Sequence, residues 1–255
     1  MYDRRKIINA DLPIKKELLD FFKKNENLAI FDIGSCEGED AIRYSMLFPN
    51  ASIFAFEPLP GNQQLILDNI SRYQATNIRL FKMALSKTNG SRELFVSSGH
   101  PDDIDPSENW DFGNKSSSLL PPKAVLNAVK WLKFDTKITV ETTTLQNVFI
   151  EQRLEIIDFI HMDVQGAELD VLIGAEIYIQ KIKMIWLEIS ETALYKDQPL
   201  RQDIEKFMET HSFKLLKSQV ENGVGDQLYM NNRYFKEYSF LGIKKYKRIE
   251  KITFK

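Results

Sequence analysis

The fold of this chain is decided by Phe31-Asp32-Ile33-Gly34-Ser35-Cys36-Glu37-Gly38, a glycine turn between two periodic segments. An apolar run over residues 28–33 leads into the turn, and apolar residues at helical spacing follow it over residues 41–48. This strand–turn–helix pattern is typical of a nucleotide-binding α/β sheet, in which one glycine makes the turn and another allows close approach to a ligand. We therefore predict cofactor contacts at Asp32, Gly34, Ser35 and Gly38.

An acidic residue follows the next apolar run at the spacing that such a site requires. Ile53-Phe54-Ala55-Phe56 is predicted to be the neighbouring strand, and it places Glu57 23 residues beyond Gly34. Pro58 keeps Glu57 extended and ends the strand ladder there. A carboxylate about 20 residues beyond the turn can accept hydrogen bonds from ribose hydroxyls, so we predict Glu57 and Pro58 in the cofactor site.

The chemistry of the turn indicates which nucleotide binds. The third glycine of G-x-G-x-x-G is missing, and G-x-x-x-x-G-K-[ST] has no counterpart here, which disfavours a phosphate cradle. Acidic side chains at Asp32, Glu37 and Glu39 face the turn instead. They suit a cationic ligand without phosphate, and S-adenosylmethionine is such a ligand. A turn that binds no ligand, with Glu57 simply solvated, is the alternative.

The second motif is Phe159-Ile160-His161-Met162-Asp163-Val164-Gln165-Gly166-Ala167-Glu168, with Leu172-Ile173-Gly174-Ala175 after it. It resembles the hallmark of FkbM-type methyltransferases, in which a strand ends in a D-x-x-G-x-E turn and a helix ends in leucine–x–glycine–alanine. The chain departs from the family at His161, where lysine is usual. Further segments match in order: Phe31-Asp32-Ile33-Gly34, Glu57-Pro58, Ala84-Leu85-Ser86, Ser117-Ser118-Leu119, Thr144-Leu145 and Trp186-Leu187-Glu188.

The resemblance covers about residues 28–230 and implies a Rossmann-like class I methyltransferase fold. It also implies an S-adenosylmethionine-dependent O-methyltransferase, since enzymes similar to FkbM act on hydroxyls of polyketides, sugars and surface glycans. The expected acceptor is thus a small molecule or a glycan. Two alternatives remain open: a nicotinamide-dependent oxidoreductase, and a catalytically silent nucleotide-binding module of the same fold.

Alternating strand and helix patterns predict an α/β protein with a mostly parallel twisted sheet and helices on both faces. A short hairpin around Leu85 and residues 94–96 is expected to turn on Asn89-Gly90, and a C-terminal antiparallel pair is expected at 213–218 and 227–231. The other predicted strands are 28–33, 52–57, 78–83, 156–163 and 183–189. The predicted helices start near Pro13 and lie at 37–48, 60–73, 166–178 and 200–211.

Residues 97–122 interrupt this rhythm with serine, glycine, proline and acidic residues, and they predict a lid-like insertion or a solvated loop. A lid that excludes water suits methyl transfer, and Ser117 is a predicted cofactor contact within it. Asp102, Asp103 and Asp105 are expected to be solvated, with a divalent-metal site that includes His100 as the alternative, and no metal site is predicted. Met83 and Ala84, at the end of the third predicted strand, should border the adenine.

Asp163 is the leading catalytic candidate, because ligands of open α/β sheets bind outside the carboxyl ends of the strands. An attacking hydroxyl must lose its proton, and a positioned carboxylate or imidazole assists that loss. His161 shares the strand face with Asp163, and Glu188 lies at the same edge. Asp163 could instead cap the following helix, and His161 could be a packed core histidine.

Composition agrees with a single methyltransferase domain over residues 1–255, with 43% hydrophobic residues and a net charge of −2. Cys36 is the one cysteine, which suits a reducing compartment, and a cytoplasmic location without nucleic-acid partners is expected. Residues 1–27 are predicted to form a helical extension. The basic, aromatic tail at 235–255 is expected to pack on the domain, with weak contact to an anionic membrane as the alternative.

Overall fold

A computed structural model describes residues 4–101, 112–240 and 243–249. Its main sheet has seven strands in the order β3-β2-β1-β7-β8-β10-β9. β10 runs antiparallel to both of its neighbours, whereas the pairs among β3, β2, β1, β7 and β8 are parallel. These strands are β1 (Ala29–Ile33), β2 (Ser52–Phe56), β3 (Ile78–Phe81), β7 (Ile157–Met162), β8 (Ile182–Ser190), β9 (Phe213–Glu221) and β10 (Val224–Asn231). The predicted fold class and the C-terminal antiparallel pair are confirmed.

Helices cover both faces of this sheet, because its central strands are apolar on both sides. One face packs on α6, α7 and α8, and the other packs on α2 and α3. The helices are α1 (Arg4–Asn9), α2 (Lys15–Phe21), α3 (Glu39–Leu47), α4 (Pro60–Tyr73), α5 (Val125–Ala128), α6 (Leu145–Glu151), α7 (Glu168–Ile173) and α8 (Arg201–Thr210).

One predicted helix, at 166–178, is divided in the structure. α7 ends at Ile173, and a 3₁₀ helix over Glu176–Lys181 follows it. The break lies at Gly174, where an added Cβ would come within 2.3 Å of the Ser86 carbonyl oxygen. Close approach of another backbone segment therefore separates the two helical pieces.

The predicted hairpin around Leu85 is wrong in its pairing. β4 (Ala84–Leu85) and β5 (Gly90–Ser98) do not pair with each other, because both pair with β6 (Lys133–Thr143), which lies between them. β6 was not predicted, although its apolar residues alternate at Phe134, Ile138 and Val140. β5 also extends through Ser98, so the insertion begins later than residue 97.

The C-terminal tail contains a hairpin that the sequence did not predict, formed by β11 (Phe235–Phe240) and β12 (Ile243–Arg248). Phe235 and Tyr246 pack against Phe21 of α2, with ring centroids 4.7 and 5.1 Å apart. The described part of the tail is thus attached to the domain through its aromatic residues, which was the expected arrangement.

Two further expectations concern the ends and the insertion. The N-terminal extension is helical where it is described, in α1 and α2. The acidic stretch at 102–105 lies outside the described residues, as does the middle of the insertion. Within the part of the chain that the structure covers, no helix is long and apolar enough to cross a membrane.

Candidate active site

The glycine turn after β1 brings two chain segments into backbone contact. Gly34 has φ +81°, and a Cβ added there would lie 1.8 Å from the carbonyl oxygen of Asp163. The N–H groups of Gly34 and Ser35 both donate to the Phe56 carbonyl at 3.0 Å, which fixes the turn against the end of β2. Gly38 has φ +78° and precedes α3. The turn is therefore held beside the ends of β2 and β7.

Glu57 is buried beside this turn. Its two carboxyl oxygens accept hydrogen bonds from the backbone N–H groups of Cys36, at 2.9 Å, and Leu59, at 2.8 Å. Burial raises the pKa of Glu57 to about 8, against the opposing effect of these donors. Two backbone donors thus fix the Glu57 side chain directly after β2, and its contact with ribose stays a prediction.

A cleft holding about 550 Å³ of space, open solvent at its mouth included, lies between the turn, β4 and the loop after β7. Six predicted site residues line it: Gly34, Glu57, Pro58, Ala84, Ser117 and Asp163. The other six are not among its lining residues: Asp32, Ser35, Gly38, Met83, His161 and Glu188. Ser35, for example, donates its hydroxyl to the Asp32 carbonyl at 2.8 Å.

The lining of this cleft fits S-adenosylmethionine. Phe56, Leu94 and Leu119 give apolar walls of the kind that an adenine ring requires. Glu57 and Asp163 add carboxyl groups that suit ribose hydroxyls and a sulfonium. Near the cleft, Asp32 keeps a buried carboxyl oxygen without a hydrogen-bond partner, which is costly unless a ligand or a charge compensates it.

Asp163 is held in the cleft by a hydrogen-bonded chain of side chains. The Gln165 amide donates to Asp163 Oδ1 at 2.7 Å and lies 3.5 Å from Glu188. The Gln165 amide oxygen accepts from the Tyr195 hydroxyl at 2.9 Å. Because carboxylates only accept, these contacts fix which end of the amide faces Asp163.

The carboxyl groups of Asp163, Glu168 and Glu188 come within 4.8 Å of one another. Burial raises the pKa of all three, that of Glu168 to about 7. The Gln165 amide lies between Asp163 and Glu188, so these two carboxyl groups share one hydrogen-bond donor.

The structure removes one alternative for Asp163, namely that it caps the following helix. α7 begins at Glu168 with Ala167 at its N-cap, and no side chain caps it there. Glu168 Oε1 instead accepts hydrogen bonds from the backbone N–H groups of Val164 and Gly166, each at 3.1 Å. Asp163 therefore has no capping task.

His161 lies behind Asp163, between the sheet and α3. Its Nδ1 is 3.2 Å from Asp32 Oδ1 and 3.9 Å from Asp40 Oδ2, although the angle to Asp32 falls outside hydrogen-bond geometry. Its ring also meets the Tyr44 ring edge-on at 5.9 Å. His161 is therefore a packed histidine, which was the alternative to a catalytic role. Its neighbours include carboxyl groups.

The described end of the insertion contacts the glycine turn directly. The Asn114 amide donates to Glu37 Oε1 at 2.9 Å and to Asn62 Oδ1 at 3.0 Å. Lys115 donates to Glu39 at 2.7 Å. Ser118 donates to the Gln165 carbonyl at 2.7 Å, so this segment joins both loops that border the cleft.

Sequence reasoning missed several residues of the site. Asn62, Asn114, Lys115 and Gln165 line the cleft, and Tyr195 supports Gln165 from outside it. Gln165 stood inside the second motif, so its position was a usable signal. The others come from separate segments with no local pattern, and their proximity depends on tertiary structure.

Comparison with known proteins identifies the family. Residues 32–215 match the Methyltransferase FkbM domain. The chain is 35% identical over 226 residues to the 2-O-methyltransferase NoeI of Sinorhizobium fredii (strain NBRC 101917 / NGR234), covering 88% of this chain and 87% of NoeI. It is 27% identical over 217 residues to the methyltransferase sdnD of Sordaria araneosa, covering 76% and 77% of the two chains.

Among solved structures, a precorrin-6y C5,15-methyltransferase of Geobacter metallireducens GS-15 overlaps 90% of this chain and 87% of its own. The TM-score is 0.46 and the sequence identity is 16%. The domain match and the extent of the NoeI alignment establish that the chain belongs to the FkbM methyltransferase family.

Proposed function

We propose that this FkbM-family enzyme, an O-methyltransferase that uses S-adenosylmethionine, activates its acceptor hydroxyl with Asp163 as general base. The observation that supports this most directly is the position of Asp163. Asp163 lines the cleft directly after β7, and its backbone carbonyl lies against Gly34. Gln165 fixes its orientation with a hydrogen bond of 2.7 Å. A fixed carboxylate at this edge suits the removal of a proton from a weakly acidic alcohol.

We assign the cofactor-binding residues from the same cleft. Glu57 would accept from the ribose hydroxyls, Ala84 with Leu94 and Leu119 would contact the adenine, and the Gly34 turn would approach the methionine part. Met83, beside Ala84, would support the adenine end. When bound, S-adenosylmethionine supplies the methyl group and takes the electron pair of the broken carbon–sulfur bond.

The proposed proton path uses residues of this chain alone. Asp163 accepts the proton of the acceptor hydroxyl as its oxygen bonds to the methyl carbon. Glu188 lies within 4.8 Å of the Asp163 oxygens and orients the acceptor or receives the proton in turn. Burial raises the pKa of Asp163, which makes its carboxylate a stronger base once it is ionised.

The insertion would act as a lid over the cleft. Its described end binds both the Glu37–Glu39 region of the turn and the Gln165 carbonyl, and Ser117 lines the cleft. Excluding water there would prevent hydrolysis of the activated methyl group and strengthen charge interactions.

We propose a sugar-like hydroxyl as the acceptor. The relative NoeI is a 2-O-methyltransferase, and Asp163, which lines the cleft, has its carboxyl group within 4.8 Å of those of Glu168 and Glu188. Carboxyl oxygens accept hydrogen bonds from the hydroxyl groups of polyols. A polyketide-like alcohol would meet the same chemical requirement.

The partners and the location follow as further proposals. One cysteine and a net charge of −2 support a cytoplasmic enzyme without nucleic-acid partners, in one domain spanning residues 1–255. The exposed Lys236 and Lys247 of the tail hairpin would allow weak contact with an anionic membrane.

The test is methyl transfer from radiolabelled S-adenosylmethionine to a panel of hexosides, deoxyhexosides and simple alcohols. Asp163→Asn should lower kcat by about 10²–10⁴-fold with little change in affinity for S-adenosylhomocysteine. Asp135→Asn, at an exposed position of β6, is the matched control and should keep full turnover. A fully active Asp163→Asn enzyme would defeat the assignment.

A further inference from the structure

His161 occupies a site surrounded by carboxyl groups from several elements. In the sheet it pairs with Asp32 of β1 on one side and with Trp186 of β8 on the other. Its Nδ1 lies 3.2 Å from Asp32 Oδ1 and 3.9 Å from Asp40 Oδ2 of α3. The His161 side chain is 15% exposed and that of Asp32 is 3% exposed, so water screens this contact weakly.

The charged groups that act on His161 are acidic, and one of them, Asp40, also pairs with Arg43 of α3 at 2.9 Å. Asp163 follows two residues later in the chain, Asp226 faces it from β10, and Tyr44 of α3 contacts its ring. Glu188 is the register partner of Asp226. Three aspartates from β1, α3 and β10 therefore surround His161, with Asp163 as a fourth.

We propose that His161 is a positioning residue that remains protonated and, through its charge, holds Asp163 as a carboxylate ready to accept the acceptor's proton. This inference rests on the proposed function of Asp163 and adds a separate task for His161. An imidazolium has no free lone pair, so His161 does not itself take the acceptor's proton.

The electrostatics point in the same direction. Burial alone would lower the pKa of His161, but the charges of Asp40 and Asp32 outweigh burial and raise it to about 9. For Asp163, burial raises the pKa, while the positive charges of His161 and Lys115 lower it. His161 therefore opposes the effect of burial on the base, and it can do so at neutral pH only while it is charged.

The first measurement reports the charge of His161 in the unmodified enzyme. The chain has three histidines, so ¹⁵N-histidine labelling gives few signals, and His161→Gln identifies the one from His161. The ring nitrogens of His161 should show imidazolium shifts at pH 7 and should titrate only near pH 9. Neutral-ring shifts at pH 7 would overturn the proposal without any variant having to fold.

The second measurement reports the ionisation of Asp163. The enzyme is labelled with [¹³Cγ]aspartate, and the Asp163 signal is assigned by its loss in Asp163→Asn. His161→Gln should move the Asp163 titration midpoint upward by about 1 pH unit or more, which is the effect of losing a neighbouring opposite charge. His161→Lys keeps the charge and should leave the midpoint near that of the unmodified enzyme.

The control for the Asp163 titration is a variant of another histidine. His211→Gln removes a histidine whose ring bonds the Phe207 carbonyl at the end of α8, and it should not affect Asp163. An unchanged midpoint in His161→Gln, or an equal shift in His161→Lys, would overturn the proposal. These titrations need no acceptor, so they remain decisive even if Asp163→Asn retained turnover and the proposed function failed.

Discussion

At Gly34 the chain has no room for a side chain, and the reason lies in a distant segment. The Asp163 carbonyl occupies the position that a Cβ would take, at 1.8 Å, and φ is +81°. The same close contact joins the cofactor turn to the proposed base. One glycine therefore links the two halves of the active site.

Gly34→Ala should remove cofactor binding and lower stability. A left-handed conformation alone costs an alanine about 1–2 kcal/mol, and the clash with Asp163 adds to that cost. We expect affinity for S-adenosylhomocysteine to fall by at least about tenfold in calorimetry, since tenfold corresponds to about 1.4 kcal/mol. Gly61→Ala is the control, because nothing lies within 4 Å of a Cβ there in α4, and it should bind normally. Normal binding by Gly34→Ala would contradict the contact.

At this scale the sequence predicted residues whose role depends on local geometry. Gly34, Glu57 and Asp163 each follow a strand at a spacing that the nucleotide-binding fold fixes, and all three line the cleft. Asn114 and Tyr195 were not predicted. They reach the site through contacts with Glu37 and Gln165, each separated from them by at least 30 positions in the chain.

Among the elements, β7 and β8 are joined by a buried ion pair at the edge of the sheet opposite the active site. Lys183 Nζ lies 2.5 Å from Asp158 Oδ1, and the two side chains are 4% and 6% exposed. The other oxygen of Asp158 accepts the N–H of Ala29 in β1 at 2.8 Å. A single carboxylate therefore holds three neighbouring strands.

Asp158→Ala should destabilise the protein by about 3–5 kcal/mol, because Lys183 would remain buried without a partner. Urea unfolding measures the change. Asp20→Ala is the control, since the Lys16–Asp20 pair on α2 is 82% and 53% exposed, and it should cost less than about 1 kcal/mol. Equal losses in the two variants would show that burial of the pair is not what matters.

The elements of the main sheet were predicted because their periodicity is local. The pairing of strands that lie far apart in the sequence was not predicted. Asn89-Gly90 is a strong hairpin signal, yet β5 pairs with β6, which begins at Lys133. β6 alternates exposed charged residues with apolar ones, which is a strand signal, but its partner lies about 40 positions earlier in the chain. Strand partners are chosen by burial and register, and these are not visible in one segment.

Across the whole molecule, the shifted pKa values of the active site share one sign. Burial raises the pKa of Asp226 to about 6, of Glu168 to about 7 and of Glu57 to about 8, and His161 is raised to about 9 by its carboxylate neighbours. Each of these groups binds its proton more tightly in the folded state than in the unfolded state. Burying these titratable groups together thus has a cost in stability at alkaline pH.

The expected consequence is a melting temperature that falls as pH rises. A carboxyl group whose pKa is raised in the folded state lowers the free energy of unfolding as pH rises from about 4.5 to that folded pKa. The contribution of His161 to the free energy of unfolding is lost between about pH 6.5 and 9. Thermal unfolding followed from pH 5 to pH 9, without ligand, should therefore show a continuous decrease in melting temperature.

Glu168→Gln removes one such group and should flatten the decrease in melting temperature between pH 5 and 8, by about 2–4 °C for each kcal/mol recovered. Glu93→Gln, whose side chain is 64% exposed on β5, should leave the profile of the unmodified protein. A melting temperature that rises from pH 5 to pH 8 would mean that these buried carboxyl groups ionise at no cost to the free energy of unfolding. The proposal that His161 keeps Asp163 ionised would then lose its electrostatic basis.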